Sequence, residues 1–281
     1  MAYKYEGKLS KDLPGGRVSV PKGSEEKSYY KYYLEPCEDI SEEMKETIRA
    51  GVFPVGEGME IESRAKIMEE KAFPSRPGCY ALAGGGAMSC ANVKTPHLTG
   101  EMLDWWAGWH GLEPLRYAIW NPVDHYGVEV TKGLERLTDL TLPVRERLWG
   151  VEHLIHESMV GDEPGEVTLE FLNPDQCGYD TAHAKPGRWL SGIVGRGRMG
   201  DVPIFATEIL CVGEDGENEL RCRFWIGYKL EDDGNLVCKL PTNIEVPPTM
   251  LHHLVMHNYR EFAHLDKVLP RLYAEEKDNW L

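Results

Sequence analysis

The sequence has no long apolar run, no paired-cysteine motif and a shortage of basic side chains. No stretch approaches the roughly 20 apolar residues that span a bilayer, and the opening MAYKYEGKLSKDLPGG lacks the apolar core of a secretory signal. The seven cysteines are odd in number and show no C-x-x-C spacing, which indicates buried reduced thiols rather than disulfides or a thiolate zinc site. We therefore expect a cytoplasmic protein without a membrane partner.

The charge balance argues against a nucleic-acid partner. Lys and Arg total 31 against 46 Asp and Glu, which gives a formal net charge of -15. The longest basic cluster is the interrupted pair Arg196 and Arg198, which is too short for a nucleic-acid footprint. We expect no nucleic-acid partner.

Several short motifs lack the context that their chemistry requires. Residues 195–200 fit G-x-G-x-x-G, but Asp201-Val-Pro203 follows where a dinucleotide site needs a helix. The sequence has no G-x-S-x-G elbow, and H-x-x-H-E at 153–157 matches no zinc-protease signature. Nucleotide binding, serine-hydrolase and zinc-protease functions are therefore disfavoured.

The pattern of elements predicts an α+β protein with a small, mainly helical N-terminal region. Ser41 is suited to cap the helix SEEMKETIRAG, a weaker helix is predicted over 61–71, and Thr99 is suited to cap LTGEMLDWWAGWHG. The glycine-broken run CYALAGGGAMSCANV reads as a short apolar strand. We predict an N-terminal arm and helical region over residues 1–94 and the main domain over 95–281.

The second part of the chain alternates between β-compatible runs and turn clusters. The runs are RYAIW, HYGVEV, VEHLIHES, EVTLEFL, RWLSGIVG, PIFATEILCV, LRCRFWIGYKL and NLVCKLP. Charged turns such as GEDGEN suit adjacent antiparallel strands. A long helix, with Thr249 as its predicted cap, then runs towards Pro270. A curved antiparallel sheet wrapped on this C-terminal helix would cover both apolar faces.

Histidines and carboxylates in three segments form a candidate metal site. His253, His257 and Glu261 recur at steps of four, so they share one helix face, although an i,i+4 pair is also an ordinary helix hydrogen bond. His125 begins one predicted strand, and Glu157 shares a strand face with Ile155. Two imidazoles and two carboxylates suit Zn(II), while Mn(II) and Fe(II) remain open.

Large aromatic side chains are either cavity walls or core. Trp105, Trp106, Trp109 and Trp120 recur around one helical segment, and a Trp-rich core explains them as well as a ligand cavity does. Arg223 and Trp225 in RCRFWIG are further cavity candidates.

Longer blocks of the sequence carry a family resemblance. The run WWAGWHGLEPLRYAIWNPVDH, the strand RCRFWIG and the helix with H-x-x-x-E resemble the zinc-dependent 2,4-diacetylphloroglucinol hydrolase and phloretin hydrolase family, from about residue 75 to 265. The resemblance implies a small helical N-terminal region followed by a helix-grip (Bet v 1-like) domain. It also implies a Zn²⁺ cofactor and a homodimer.

The resemblance also implies roles for individual residues. The zinc ligands would be His125, Glu157, His257 and Glu261. Tyr117 would hydrogen-bond the phenolic ring and, with Glu157, serve catalysis, with Glu157 or Glu261 moving to admit water. The sequence departs from the diacetylphloroglucinol enzyme, where an Asn follows the first ligand and a further His lies on a middle strand. Here Val128 lies near the position of that Asn, and His183 is a weak candidate for the further His. The candidate substrate-binding residues are therefore Tyr117, Trp120, His183, Arg223 and Trp225.

The expected reaction is hydrolysis of the carbon-carbon bond between a phloroglucinol ring and its acyl group. An electron-rich ring can leave as a carbanion equivalent, because its keto tautomer turns the bond into that of a β-diketone. Phloretin is the favoured substrate, with 2,4-diacetylphloroglucinol next. The alternatives are a noncatalytic helix-grip carrier of hydrophobic aromatics and a decarboxylase or cyclase on a similar barrel.

Overall fold

The computed structural model describes residues 5–159, 163–184, 188–231, 234–240 and 246–281. The helices are α1 (Tyr30–Tyr33), α2 (Glu42–Arg49), α3 (Gly100–Trp109), α4 (Pro114–Trp120), α5 (Leu134–Leu137) and α6 (Pro248–Glu276). The strands are β1 (Val52–Phe53), β2 (Gly78–Ala81), β3 (Ala87–Lys94), β4 (His125–Lys132), β5 (Glu152–Glu157), β6 (Gly165–Leu172), β7 (Trp189–Met199), β8 (Val202–Val212), β9 (Asn218–Ile226), β10 (Tyr228–Leu230) and β11 (Leu236–Cys238). Short 3₁₀ helices occupy Ser10–Asp12, Pro14–Gly16, Ser24–Glu26, Ile61–Met68, His110–Leu112, Val144–Arg147 and Pro174–Cys177.

Nine strands form one sheet in the order β1-β2-β3-β9-β8-β7-β6-β5-β4. Every neighbouring pair is antiparallel except β1 and β2, which are parallel, and β10 and β11 form a separate hairpin. The apolar side of α6 packs in the same buried cluster as one face of this sheet. The predicted α+β fold, a curved antiparallel sheet around a long C-terminal helix in the helix-grip arrangement, is confirmed.

Capping side chains explain where two of the helices begin. Ser41 Oγ accepts a hydrogen bond from Met44 N at 3.2 Å, and Thr99 Oγ1 accepts one from Met102 N at 3.3 Å. Each bond satisfies a first-turn N–H that has no partner within its helix. The predicted cap of the last helix is wrong, because α6 already begins at Pro248, whose fixed φ suits a first helical position.

The run RYAIW is helix α4 rather than the predicted strand. Pro114 opens the helix, and Leu115 to Trp120 are buried on every side. A helix that is buried all round shows no polar face, so its sequence lacks the periodicity that distinguishes a helix from a buried strand.

Both faces of the sheet are covered. The inner face shares a core with α3, α4 and α6, whereas the outer face packs against residues 59–68 and the turn at Cys177 and Tyr179. The predicted boundary between residues 94 and 95 stays a prediction; β3 ends at Lys94, and the sheet includes strands from both sides of that point. Among the helices that the structure describes, none combines the length and apolar character needed to cross a bilayer.

Candidate metal centre and its cavity

Two antiparallel strands and the long helix bring four predicted side chains together. His125 opens β4 and lies opposite Glu157, the last residue of β5, in the strand register. His257 and Glu261 are one turn apart on α6 and face the same point. His125, His257 and Glu261 are each at most 2% exposed, and the Glu157 side chain is 14% exposed.

Three of the four groups form a tight cluster. His125 Nε2 lies 3.3 Å from His257 Nε2, and Glu261 Oε2 lies 3.3 Å and 3.2 Å from these two nitrogens. Glu157 Oε2 is farther away, at 3.8 Å from His125 Nε2 and 4.0 Å from His257 Nε2. The arrangement is a cluster of three side chains with the fourth group, the Glu157 carboxylate, at its edge.

The cluster fits a zinc ion in both donor type and spacing. Donors of a tetrahedral zinc site with bonds of about 2.0–2.1 Å lie about 3.3 Å apart, which is the spacing of the three central atoms. Glu261 Oε2 is buried and accepts no hydrogen bond from the described residues. A buried carboxylate oxygen without a hydrogen-bond donor, facing two imidazole nitrogens, is the arrangement that a shared cation would stabilise.

Outer contacts orient both imidazoles. His125 Nδ1 lies 3.1 Å from the Tyr117 carbonyl oxygen, so this nitrogen donates and leaves Nε2 free to bind a metal. His257 Nδ1 faces Asp124 Oδ2 at 3.6 Å, an ion-pair distance rather than a hydrogen bond. Asp124 is itself held by Arg260 at 2.7 Å and by Ser158 at 2.7 Å.

The surrounding charges shift the pKa values of the cluster in opposite directions. Burial opposes ionisation of Glu261, but His257 and His125 outweigh it and lower its pKa to about 2. Burial also opposes charge on His257, yet Glu261, Asp124 and Glu157 raise the pKa of this imidazole well above its usual value. Without a cation the centre therefore holds a proton on His257, which a bound metal would displace.

An apolar cavity adjoins the metal centre. Tyr117, Trp120, Glu157, His257 and Glu261 line one end. Its remaining walls come mostly from inner-face apolar side chains, namely Ile155, Val167, Leu169, Phe171, Ile193, Met199, Ile204, Ala206, Phe224 and Leu254. The cavity volume is about 70 Å³, which is room for about five waters and hence for one small aromatic ring.

Tyr117 connects the cavity to the metal centre. Its hydroxyl donates to Glu157 Oε2 at 2.6 Å, and its ring stacks on the His125 imidazole with centroids 4.0 Å apart. Burial, together with the charge of Glu157, raises the pKa of this phenol well above its usual value. Tyr117 therefore remains a hydrogen-bond donor at neutral pH.

Three predicted substrate-binding residues lie away from this cavity. Arg223 donates to the Phe73 and Pro74 carbonyl oxygens, and Trp225 Nε1 donates to the Met59 carbonyl oxygen, so both belong to the outer face of the sheet. His183 is exposed in a loop and contacts Asp180. Trp120 lines the cavity, whereas Trp105, Trp106 and Trp109 are core residues.

Three further polar residues at the site were missed by the sequence analysis. Asp124 directly precedes His125, and Asn258 directly follows His257. Asp124 faces His257, and Asn258 Nδ2 donates a hydrogen bond to Glu261 Oε1 at 2.9 Å. Glu208 lines the cavity from β8. A carboxylate in the apolar run PIFATEILCV was the available signal for Glu208, since a glutamate is rarely buried unless it is paired.

The fold and the site define a class of helix-grip protein with a buried histidine-carboxylate centre beside an aromatic-sized cavity. The family model described as the DAPG hydrolase PhiG domain matches residues 59–274, and the chain belongs to this family. The chain is 32% identical to a phloretin hydrolase of Eubacterium ramulus over 98% of its own length and 100% of that protein. It is 28% identical to a 2,4-diacetylphloroglucinol hydrolase of a Pseudomonas species, over 76% of each.

Among solved structures, a START superfamily protein from Mycobacterium smegmatis is similar at 13% identity and a TM-score of 0.40. The similarity covers 67% of this chain and 99% of that one.

Proposed function

We propose that this protein is a zinc-dependent hydrolase that cleaves the aryl-ketone carbon-carbon bond of an acylphloroglucinol. The observation that carries the proposal is the convergence of His125, His257, Glu261 and Glu157 at one end of an apolar cavity. Membership of a family with phloretin and diacetylphloroglucinol hydrolases supports the same reaction. A noncatalytic carrier would have no need for such a cluster at its binding cavity.

The proposed ligands are His125, His257, Glu261 and Glu157. A bound zinc ion supplies Lewis-acid chemistry, namely the acidification of water and the polarisation of a carbonyl oxygen. Of the four, Glu157 would be the ligand to move and admit water, because its oxygen lies farther from both nitrogens than that of Glu261 and its side chain is more exposed. The Tyr117 hydroxyl donates a hydrogen bond to Glu157 in this structure. Once Glu157 moves, this hydroxyl would be free to hydrogen-bond a ring hydroxyl of the substrate.

Phloretin is the favoured substrate, with 2,4-diacetylphloroglucinol next. The cavity holds one aromatic ring, and an open groove of about 880 Å³ adjoins it through the shared residues Glu157, Val167 and Met199. A long acyl arm that ends in a second ring, as in phloretin, can occupy this groove while the phloroglucinol ring fills the cavity. The products would be phloroglucinol and 3-(4-hydroxyphenyl)propionate.

The test is turnover of an acylphloroglucinol panel, with product identification and metal analysis. We expect the zinc-loaded protein to release phloroglucinol from phloretin faster than it deacylates 2,4-diacetylphloroglucinol, and a chelator to abolish both reactions. Binding of phloretin without turnover, in protein that holds no metal after zinc loading, would favour the carrier. Release of carbon dioxide, or a cyclised product, would point to the decarboxylase or cyclase instead.

Zinc should also stabilise the fold. A ligand that binds only the native state at about 100 times its Kd adds about 2.7 kcal/mol to the free energy of unfolding. We expect zinc added to chelator-treated protein to raise Tm in a calorimetric scan, while magnesium leaves Tm unchanged because imidazole ligands do not suit it. Equal shifts with both ions would contradict a histidine-ligated zinc site.

A further inference from the structure

Glu208 is a carboxyl group that the proposed zinc chemistry does not use. It lies in the middle of β8, is 8% exposed, and lines the cavity. Strand alternation places Ile204, Ala206 and Glu208 on the inner face, while Thr207 faces outward and bonds Tyr179 at 2.6 Å. The Glu208 side chain therefore points into the space that a substrate ring would fill.

The carboxyl of Glu208 has no partner within the part of the chain that the structure describes. No hydrogen bond or ion pair there reaches its oxygens. Three other polar residues of the cavity have partners: Tyr117 donates to Glu157, His110 Nδ1 lies 2.9 Å from the Trp106 carbonyl oxygen, and Asn258 Nδ2 donates to Glu261. Glu208 is thus a polar group left available to a ligand.

The neighbours of Glu208 favour its neutral form. Its partners across the sheet are Ile193 on β7 and Cys222 on β9. Burial among these apolar neighbours opposes ionisation of the carboxyl and raises the pKa of Glu208 well above its usual value. A neutral carboxylic acid in an apolar cavity is a proton donor.

The hydrolysis of an acylphloroglucinol requires such a donor, because the ring carbon that loses its acyl group gains a hydrogen. We propose that Glu208 is the catalytic acid that delivers this proton to the ring carbon, on the side of the cavity facing the metal centre. This inference rests on the proposed function and deepens it.

The step balances as the addition of one water. Glu208 gives its proton to the acyl-bearing ring carbon while an adjacent ring hydroxyl gives one to solvent water, which returns it at the end of the reaction, so the ring becomes its keto tautomer. Water then adds hydroxide to the acyl carbonyl carbon, and the proton of that water restores Glu208. The carbon-carbon bond breaks with its electron pair passing through the ring to the ring oxygen, which recovers a proton as the carboxylic acid leaves.

The first experiment compares Glu208→Gln with Glu208→Asp. Glutamine keeps the size and a hydrogen-bond donor but cannot transfer a proton, so we expect kcat for phloretin to fall by about 100-fold or more. Aspartate keeps the acid and should retain more activity than glutamine. Zinc content, and the affinity for phloroglucinol measured by calorimetry, should change by less than about threefold. Glu217→Gln, an exposed residue of the β8–β9 turn, makes the same charge change and should match the wild type.

The second experiment needs no variant. Because proton transfer to the ring carbon is reversible, the wild-type protein in D₂O should speed the exchange of phloroglucinol ring hydrogens above the spontaneous rate, as followed by NMR. An E208Q protein that keeps kcat within threefold, or a wild type that cleaves phloretin without exchange, would overturn the role of Glu208 and leave the hydrolase proposal standing. A wild type that cleaves no acylphloroglucinol would overturn both.

Discussion

At the scale of single residues, His257 connects the candidate metal cluster to its outer support. Its Nε2 faces Glu261 at 3.2 Å and its Nδ1 faces Asp124 at 3.6 Å. Loss of even an outer partner of a ligand weakens metal binding by about 10- to 100-fold, so loss of the ligand itself should cost at least as much. We expect His257→Ala to lose bound zinc, measured by mass spectrometry after gel filtration, and to lose turnover of phloretin with it.

A neighbouring histidine provides the control. His156 lies on β5 beside Glu157, but alternation turns it to the opposite face, where it is 30% exposed. His156→Ala should keep both zinc and turnover. Stoichiometric zinc in the His257 variant would mean that the metal binds somewhere else.

The face on which a β9 side chain lies could not be predicted from the sequence. Phe224 lines the cavity, whereas Arg223 and Trp225 lie on the outer face, one residue out of step with the prediction. A sheet with one solvated face shows alternating polar and apolar residues, but both faces of this sheet are covered. Alternation separates Arg221 and Arg223 from Cys222 and Phe224, but with both faces buried it does not tell which set faces the cavity, and a shift of one residue exchanges the faces.

At the scale of elements, the side-chain caps are the features whose removal can be tested most directly. Thr99 Oγ1 satisfies Met102 N at the start of α3, the helix that carries three of the tryptophans in the core. We expect Thr99→Ala to lower the free energy of unfolding in urea by about 1 kcal/mol, because the N–H loses its acceptor. Thr99→Ser keeps the oxygen and should stay within a few tenths of a kcal/mol of wild type. Equal losses in both variants would show that the Thr99 methyl group, not its oxygen, matters.

Elements with a local signal were predictable, and elements defined by packing were not. Ser41 and Thr99 cap helices as predicted, since a cap depends only on its own first turn. The run at α4 was misassigned because burial on all sides removes its polar face. His125 and Glu157 were expected on strands, but their approach to His257 depends on how α6 crosses the sheet. The family resemblance implied that these residues meet, whereas local sequence patterns could not predict it.

At the scale of the whole molecule, buried neutral histidines set the response of the fold to acid. Burial lowers the pKa of His110 and of His264 to about 4, and lowers that of His153 well below its usual value. The unfolded chain, with histidine pKa values near 6.5, then binds more protons than the folded chain between about pH 6.5 and 4. The free energy of unfolding must fall as the pH drops through this window.

Glu208 changes the free energy of unfolding with pH in the opposite direction, but it is one group against three histidines. Its raised pKa means that the folded chain keeps a proton that the unfolded chain releases above about pH 4.5, so this penalty shrinks as the pH falls. Three histidines against one carboxyl leave a net loss of stability in acid.

A single substitution can isolate one histidine in chelator-treated protein. His264→Leu replaces a titrating side chain, 3% exposed, with one that cannot bind a proton. A folded pKa of about 4 corresponds to a loss of about 2 kcal/mol between pH 7 and pH 5. The variant should therefore lose about 2 kcal/mol less than wild type over this range in urea unfolding. Parallel curves for the two proteins would mean that His264 has the same pKa in the folded and the unfolded chain, and that another group causes the acid sensitivity.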